Sequence, residues 1–126
     1  MFRFPKHKDI ITLYHKASSP SSMRVAALLK KQQTAAIEAG KPEFDLQISE
    51  EVAPTPTQVG TILDYLGNNR ISSLFEGASN KEDALKVFSQ SPDSFKRPTI
   101  VDWNNGKVVI GENESEILKM LNALAK

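Results

Sequence analysis

Residues 10–31 read IITLYHKASSPSSMRVAALLKK, and this stretch decides the fold. Ile10, Ile11, Thr12, Leu13 and Tyr14 are β-branched, apolar or aromatic, the composition of a buried strand. Ser18 or Ser19 then offers a hydroxyl where a helix needs an N-cap, and Pro20 suits the first helical position. A strand feeding a helix in this way leaves backbone N–H groups free at the turn, and such a turn receives anions. A helix N-terminus is also where a cysteine thiol is activated, yet the chain has no cysteine.

Working outward, the first helix is expected from Pro20 to Ala39. Val25, Leu28, Leu29 and Ala36 form its apolar face, and Lys30, Lys31, Gln32 and Gln33 its wet one. Gly40, with Pro42 beyond it, stops it. Residues 43–49, EFDLQIS, alternate in period two as a half-buried strand. Two strands joined by a helix predict a parallel βαβ unit. Residues 50–54 link to a capping box, Thr55-Pro56-Thr57-Gln58, followed by Val59, Ile62, Leu63 and Leu66 at helical spacing. Gly67 closes that helix.

Ile71, Leu74 and Phe75 predict a short helical turn on the core. Ser79-Asn80-Lys81-Glu82 reads as a second capping box, with Ala84, Leu85 and Phe88 on one face of a helix to about Gln90. Residues 91–96 are expected as a loop. Residues 97–103 and 107–110 flank Asn104-Asn105-Gly106, a strong hairpin signal. Asn113 caps a last helix with Glu116 at its third position, and Ile117, Leu118, Leu121 and Leu124 face inward.

The order β-α-β-α-α-β-β-α is an α/β, thioredoxin-like plan: a four-stranded mixed sheet flanked by helices, with a helical insert in its middle. One domain over residues 1–126 is expected, with residues 1–9 as a basic tail carrying Arg3, Lys6 and Lys8. That tail resembles the opening of a mitochondrial targeting segment, or is simply a solvated end. A net charge of +1 gives no pull toward nucleic acid, and no apolar run reaches the roughly 18 residues of a membrane span. Zero cysteines exclude disulfides, thiolate catalysis and thiolate metal sites, and two histidines, His7 and His15, are too few for a histidine cluster. No metal is expected.

Tyr14-His15-Lys16-Ala17-Ser18-Ser19-Pro20-Ser21-Ser22 resembles the arsenate reductase pattern of a Tyr-His strand end, a short turn, a cysteine and a Thr/Ser-rich helix start. Pro54-Thr55-Pro56-Thr57-Gln58 resembles that family's Pro-Pro-Thr helix opening, and Arg97-Pro98 its Arg-Pro strand start, where the proline is cis. The C-terminal run Val101-Asp102-Trp103-Asn104-Asn105-Gly106-Lys107, Val109-Ile110-Gly111-Glu112-Asn113-Glu114 and Glu116-Ile117 is similar to the signature of a fungal family of small mitochondrial proteins with a thioredoxin-like fold and a redox assignment. The resemblance implies an arsenate reductase-like helical insert, mitochondrial residence (cytoplasmic being the alternative) and an oxidoreductase role. The residues depart from it at the decisive position. Ser19 stands where arsenate reductases carry their cysteine. Two arginines that grip the oxyanion have no match, because residues 71–75 contain none and the other position is Gly111. Arg97 alone is matched, so arsenate reduction is excluded.

A thiol of pKa about 8.5 is readily lowered at a helix N-terminus, whereas a serine hydroxyl needs a positioned base. His15 is the nearby base for Ser19, and equally a strand-end histidine bonded to backbone. Ser19 is a cap or an anion ligand before it is a nucleophile. Arg97 meets an anion or covers the rim; Pro98 is cis beside the turn or simply opens a strand. Trp103 is a half-buried strand residue or a ligand platform.

Three functions are therefore open. The first is a non-catalytic binding or assembly module that receives a protein partner or small anionic ligand at Ser18, Ser19, Ser21, Ser22, Arg97 and Pro98. The second is a glutathione-dependent enzyme in which Ser19 steadies the thiolate of bound glutathione, the one cofactor considered. The third is a thiol oxidoreductase whose sulfurs come from a partner.

Overall fold

The computed structural model describes residues 9–41, 43–50 and 52–124. The expected basic tail, with His7, lies outside these residues except for Asp9, which opens the first strand instead of ending a tail; Pro42 and Lys126 also lie outside. The elements are β1 (Asp9–Tyr14), α1 (Pro20–Glu38), β2 (Phe44–Ser49), α2 (Pro56–Leu66), α3 (Ile71–Leu74), α4 (Lys81–Gln90), β3 (Thr99–Asp102), β4 (Lys107–Ile110) and α5 (Glu114–Asn122). Single 3₁₀ turns at Asn68–Arg70 and Pro92–Ser94 bracket the insert. The sheet order is β2-β1-β3-β4. β1 pairs in parallel with β2, Ile11 opposite Leu46, and antiparallel with β3, Leu13 opposite Ile100. β3 and β4 form the antiparallel hairpin. This is the thioredoxin-like arrangement expected from the element order.

The strand pleat sorts the core into two layers. Ile11, Leu13, Phe44, Ile100 and Val109 face α1 and α5, meeting Val25, Leu29, Ile117 and Met120. Tyr14, Val101 and Val108 face the other way, onto α2, α3 and α4. β3 is buried at all four residues because helices cover both of its faces. Phe75, fully buried, packs edge-on against Phe88 at 6.1 Å and Phe95 at 5.8 Å, and Phe95 against Tyr14 at 5.1 Å. This chain of rings ties the helical insert to the end of β1 and fixes the loop that carries Arg97.

The caps follow the sequence with one adjustment. Ser19 caps α1, and Thr55 with Gln58 forms the reciprocal box on α2. α4 is capped by Asn80, one residue later than the expected Ser79 start. The Asn80 side chain accepts the Asp83 amide at 2.8 Å, which places Asp83 and not Glu82 three residues on. In α5, Met120 is buried, while Leu118 and Leu121 are only half-buried. The flexible thioether fills the inward position that the leucine pattern suggested for them.

The hairpin end of β1 is closed by side chains. The Asn104 side chain accepts the Ile10 amide at 2.8 Å. Asn105 Nδ2 donates to Asp102 at 2.8 Å and to Asp9 at 3.0 Å. Trp103 is half-buried, and its indole N–H donates to Thr12 Oγ1 at 2.8 Å. Gly106 sits at φ +65°, with its missing Cβ 3.3 Å from the Tyr65 ring, so both turn geometry and space require glycine there.

Candidate functional site

The opposite end of β1 carries the residues singled out in the sequence. The strand stops at Tyr14 because His15 begins a tight turn: the Ser19 amide donates to the Lys16 carbonyl at 3.0 Å. Ser19 then caps α1, accepting the Ser22 amide at 3.3 Å and meeting the Ser21 hydroxyl at 3.1 Å. Ser18 is exposed and does not cap. Among the described residues, the main-chain N–H groups of Ala17, Ser18 and Ser21 have no protein acceptor. The turn therefore presents donors outward at the positive end of a 19-residue helix.

His15 and Ser22 form a buried pair that sequence reasoning missed. Ser22 is fully buried and His15 is 4% exposed. The Ser22 hydroxyl oxygen accepts the Lys16 amide at 2.9 Å and lies 2.5 Å from His15 Nδ1. The Ser22 hydroxyl thus joins the start of the turn to the imidazole, and its two lone pairs and one proton suit either neutral imidazole tautomer. The base expected to serve Ser19 faces Ser22 instead, and burial denies that serine a substrate. Ser22 thus belongs to the packing of the turn, not to its open face. The signal was a spacing of seven residues, which has no meaning until a turn folds the helix start back onto the strand end.

Arg97 is joined to this turn from across the sheet. Its Nη1 donates to the carbonyls of His15 (3.1 Å), Ser49 (2.8 Å) and Glu50 (3.1 Å), and its Nη2 to Val52 (3.1 Å). The guanidinium lies 5.8 Å from the centre of the Tyr14 ring. Burial pulls it below its ordinary range, while Tyr14 and Asp93 pull it back up. Four carbonyls therefore hold the fork that an oxyanion would need. Arg97 locks the end of β2 to the end of β1.

The Arg97–Pro98 peptide bond is cis, as the arsenate reductase resemblance implied. The Pro98 carbonyl accepts the Gly111 amide at 2.9 Å. The main-chain N–H and C=O of Arg97 have no partner among the described residues. Beside them opens a cleft of about 650 Å³ whose charged lining is Lys16, Lys96 and Arg97 against Glu50 and Asp93. Lys16, Glu50 and Asp93 were not singled out in the sequence, because nothing local marks them. Among the described residues no group of three metal-ligating side chains converges anywhere, and no helix is long and apolar enough to cross a membrane.

Residues 2–111 match the family described as "Protein of unknown function (DUF1687)". A Schizosaccharomyces pombe protein named "Putative redox protein fmp46, mitochondrial" is 38% identical over 65 residues, covering 52% of this chain and 53% of that protein. The chain thus spans about half the length of the curated relative it matches. The arsenate reductase of Vibrio cholerae superposes with a TM-score of 0.65 at 16% identity, covering 90% of this chain and 98% of that one. At that identity the likeness is one of fold, and the fold is the thioredoxin-like one described above.

Proposed function

This chain belongs to the DUF1687 family, and we propose that it acts as a recognition module, built on a redox protein's frame, that receives an extended peptide or a small anionic group at the serine turn. One observation carries the reading. The side chains that thiol or oxyanion chemistry would need are absent or engaged, while main-chain groups on both sides of the turn stand open. Ser19 replaces the cysteine and serves as a cap; the Arg97 fork is held by carbonyls. The free N–H groups of Ala17, Ser18 and Ser21, and the free N–H and C=O of Arg97, are what remains to meet a ligand. Open main-chain groups beside a strand end suit an extended peptide, which pairs with backbone. Pro98 fixes where the Arg97 peptide group stands. The mitochondrial, redox-associated name of the fission yeast relative supports residence in mitochondria and descent from a thiol-handling ancestor.

A second reading rests on Ser19. Its oxygen accepts the Ser22 amide, so its own proton can point outward and donate to the thiolate of a bound glutathione. The sulfur would then come from the ligand.

Amide NMR decides between them. Titration with an extended, acidic decapeptide is expected to shift Ala17–Ser22 together with Lys96, Arg97 and Thr99. Glutathione shifting the same set at millimolar concentration, with loss in Ser19→Ala, would select the second reading. Shifts in neither region with phosphate, glutathione or peptide overturn both. Insulin disulfide reduction by the purified chain should be blank.

A further inference from the structure

We infer that a second site, at the far edge of the sheet from the serine turn's partner strand, receives a phosphate-bearing anion. Three cations from three separate elements line one cleft of about 290 Å³: Arg70 at the end of the 3₁₀ turn after α2, Lys107 at the start of β4, and Lys119 in the last turn of α5. Glu116 is the one acid of that lining, so the cleft holds +2 while the whole chain carries +1. The other cations that meet acids show what pairing looks like here: Arg24 lies 2.8 Å from Glu112, and Lys81 lies 2.9 Å from Asp64. Arg70, Lys107 and Lys119 have no acid within ion-pair distance among the described residues.

Two of the three cations also have a structural use. Lys107 lies on an edge strand, where lysine discourages strand pairing, and Lys119 complements a helix C-terminus. Neither explains Arg70, and neither explains why all three line the same hollow, whose excess positive charge an anion would offset. Arg70 has an unengaged planar fork, the geometry that matches phosphate oxygens, with two lysines as point charges around it. The apolar lining comes from both sides of β4, Tyr65 and Val108 on one face of the sheet and Met120 on the other. The Tyr65 hydroxyl donates to the Trp103 carbonyl at 3.3 Å, so its ring is a wall and not a ligand. The carbon skeleton of a phosphoester would rest against that apolar lining. A soluble phosphoester and a phospholipid headgroup present the same chemistry here.

The test uses the full chain. Inorganic phosphate and glycerol phosphate are titrated against chloride at matched ionic strength, read by amide NMR at residues 70, 106, 107 and 119. Saturable shifts from the phosphates and not from chloride are expected, weakened about tenfold or more in the Arg70→Gln, Lys107→Gln double variant. Lys119→Gln is a second, independent variant, and Lys16→Gln at the other site should leave the shifts unchanged. Co-sedimentation with phosphatidic acid vesicles, but not phosphatidylcholine ones, would identify the lipid source. Shifts from free phosphoester without vesicle binding would identify the soluble one. Linear shifts equal to those from chloride, unchanged in both variants, together with no vesicle binding, overturn the proposal.

Discussion

The two ends of β1 are both held by side-chain hydrogen bonds and differ in what their open main-chain groups adjoin: a tight hairpin at one end, the positive end of a 19-residue helix at the other. At the hairpin end, Asn104, Asn105, Asp102, Trp103 and Tyr65 bond one another and the neighbouring backbone. At the serine end, the side chains of Ser22, His15 and Arg97 are equally engaged, but the main chain of Ala17, Ser18, Ser21 and Arg97 is not. Exposed main-chain donors beside a rigid brace mark a receiving surface; a closed side-chain network marks a clasp. The Asp-Trp-Asn-Asn-Gly run, which carries the family likeness most visibly in the sequence, is thus a structural clasp.

The contrast fails most visibly if Arg97 proves to be a ligand group. Arg97→Ala removes a charged donor from four carbonyls and is expected to destabilise the fold by about 3 kcal/mol in urea unfolding. Arg97→Lys keeps the charge without the fork and should recover only part of that. Unchanged stability with lost ligand binding would move Arg97 from the brace to the site.

At the other end, Asn105→Asp sets a third carboxylate against Asp9 and Asp102 and removes the shared donor. About 2 kcal/mol of destabilisation is expected at neutral pH. The added repulsion exists only while the carboxylates are ionised, so the deficit is present above the carboxylate range and closes as pH falls through it. A pH-independent deficit would show that the clasp works through shape alone.

The sheet, the caps and the hairpin were legible because each rests on local pattern: period two in β2, Thr55 with Gln58 on α2, Asn-Gly at the turn. The serine turn was legible as a place but not as a mechanism. The Ser22–His15 pair spans seven residues, and Arg97 reaches its acceptors across 45 to 82 positions. Carbonyl acceptors carry no residue identity, so no sequence pattern could show that the arginine was already engaged. The cations of the β4 cleft stand at positions 70, 107 and 119, and only the folded topology brings them to one hollow.

A smaller effect separates cap from ligand at Ser19. Ser19→Ala should cost about 1 kcal/mol and Ser19→Gly only a few tenths, since glycine tolerates the cap backbone. If Ser19 also meets the ligand, both variants lose binding equally despite their different stabilities. If it serves only as a cap, binding follows stability.

The smallest expected effect lies under Arg97. Tyr14 is 3% exposed, and burial raises its phenol above the ordinary range, with the Arg97 cation pulling part of the way back. Below about pH 10 the phenol is protonated in folded and unfolded chains alike and contributes no pH dependence. As pH climbs past the unfolded value, the unfolded chain ionises first, so stability is lost as pH rises through the folded pKa. Tyr14→Phe removes that loss while keeping the ring against Phe95. The variant should match the parent near neutrality to within about 0.5 kcal/mol and unfold less readily above pH 10. Since Arg97 counteracts the upward shift, Arg97→Gln, which brings in no titrating group, should change the alkaline slope in the parent background but not in the Tyr14→Phe background. Equal alkaline slopes in all four proteins would mean that the ring and the guanidinium do not communicate, leaving the brace to act through its carbonyl bonds alone.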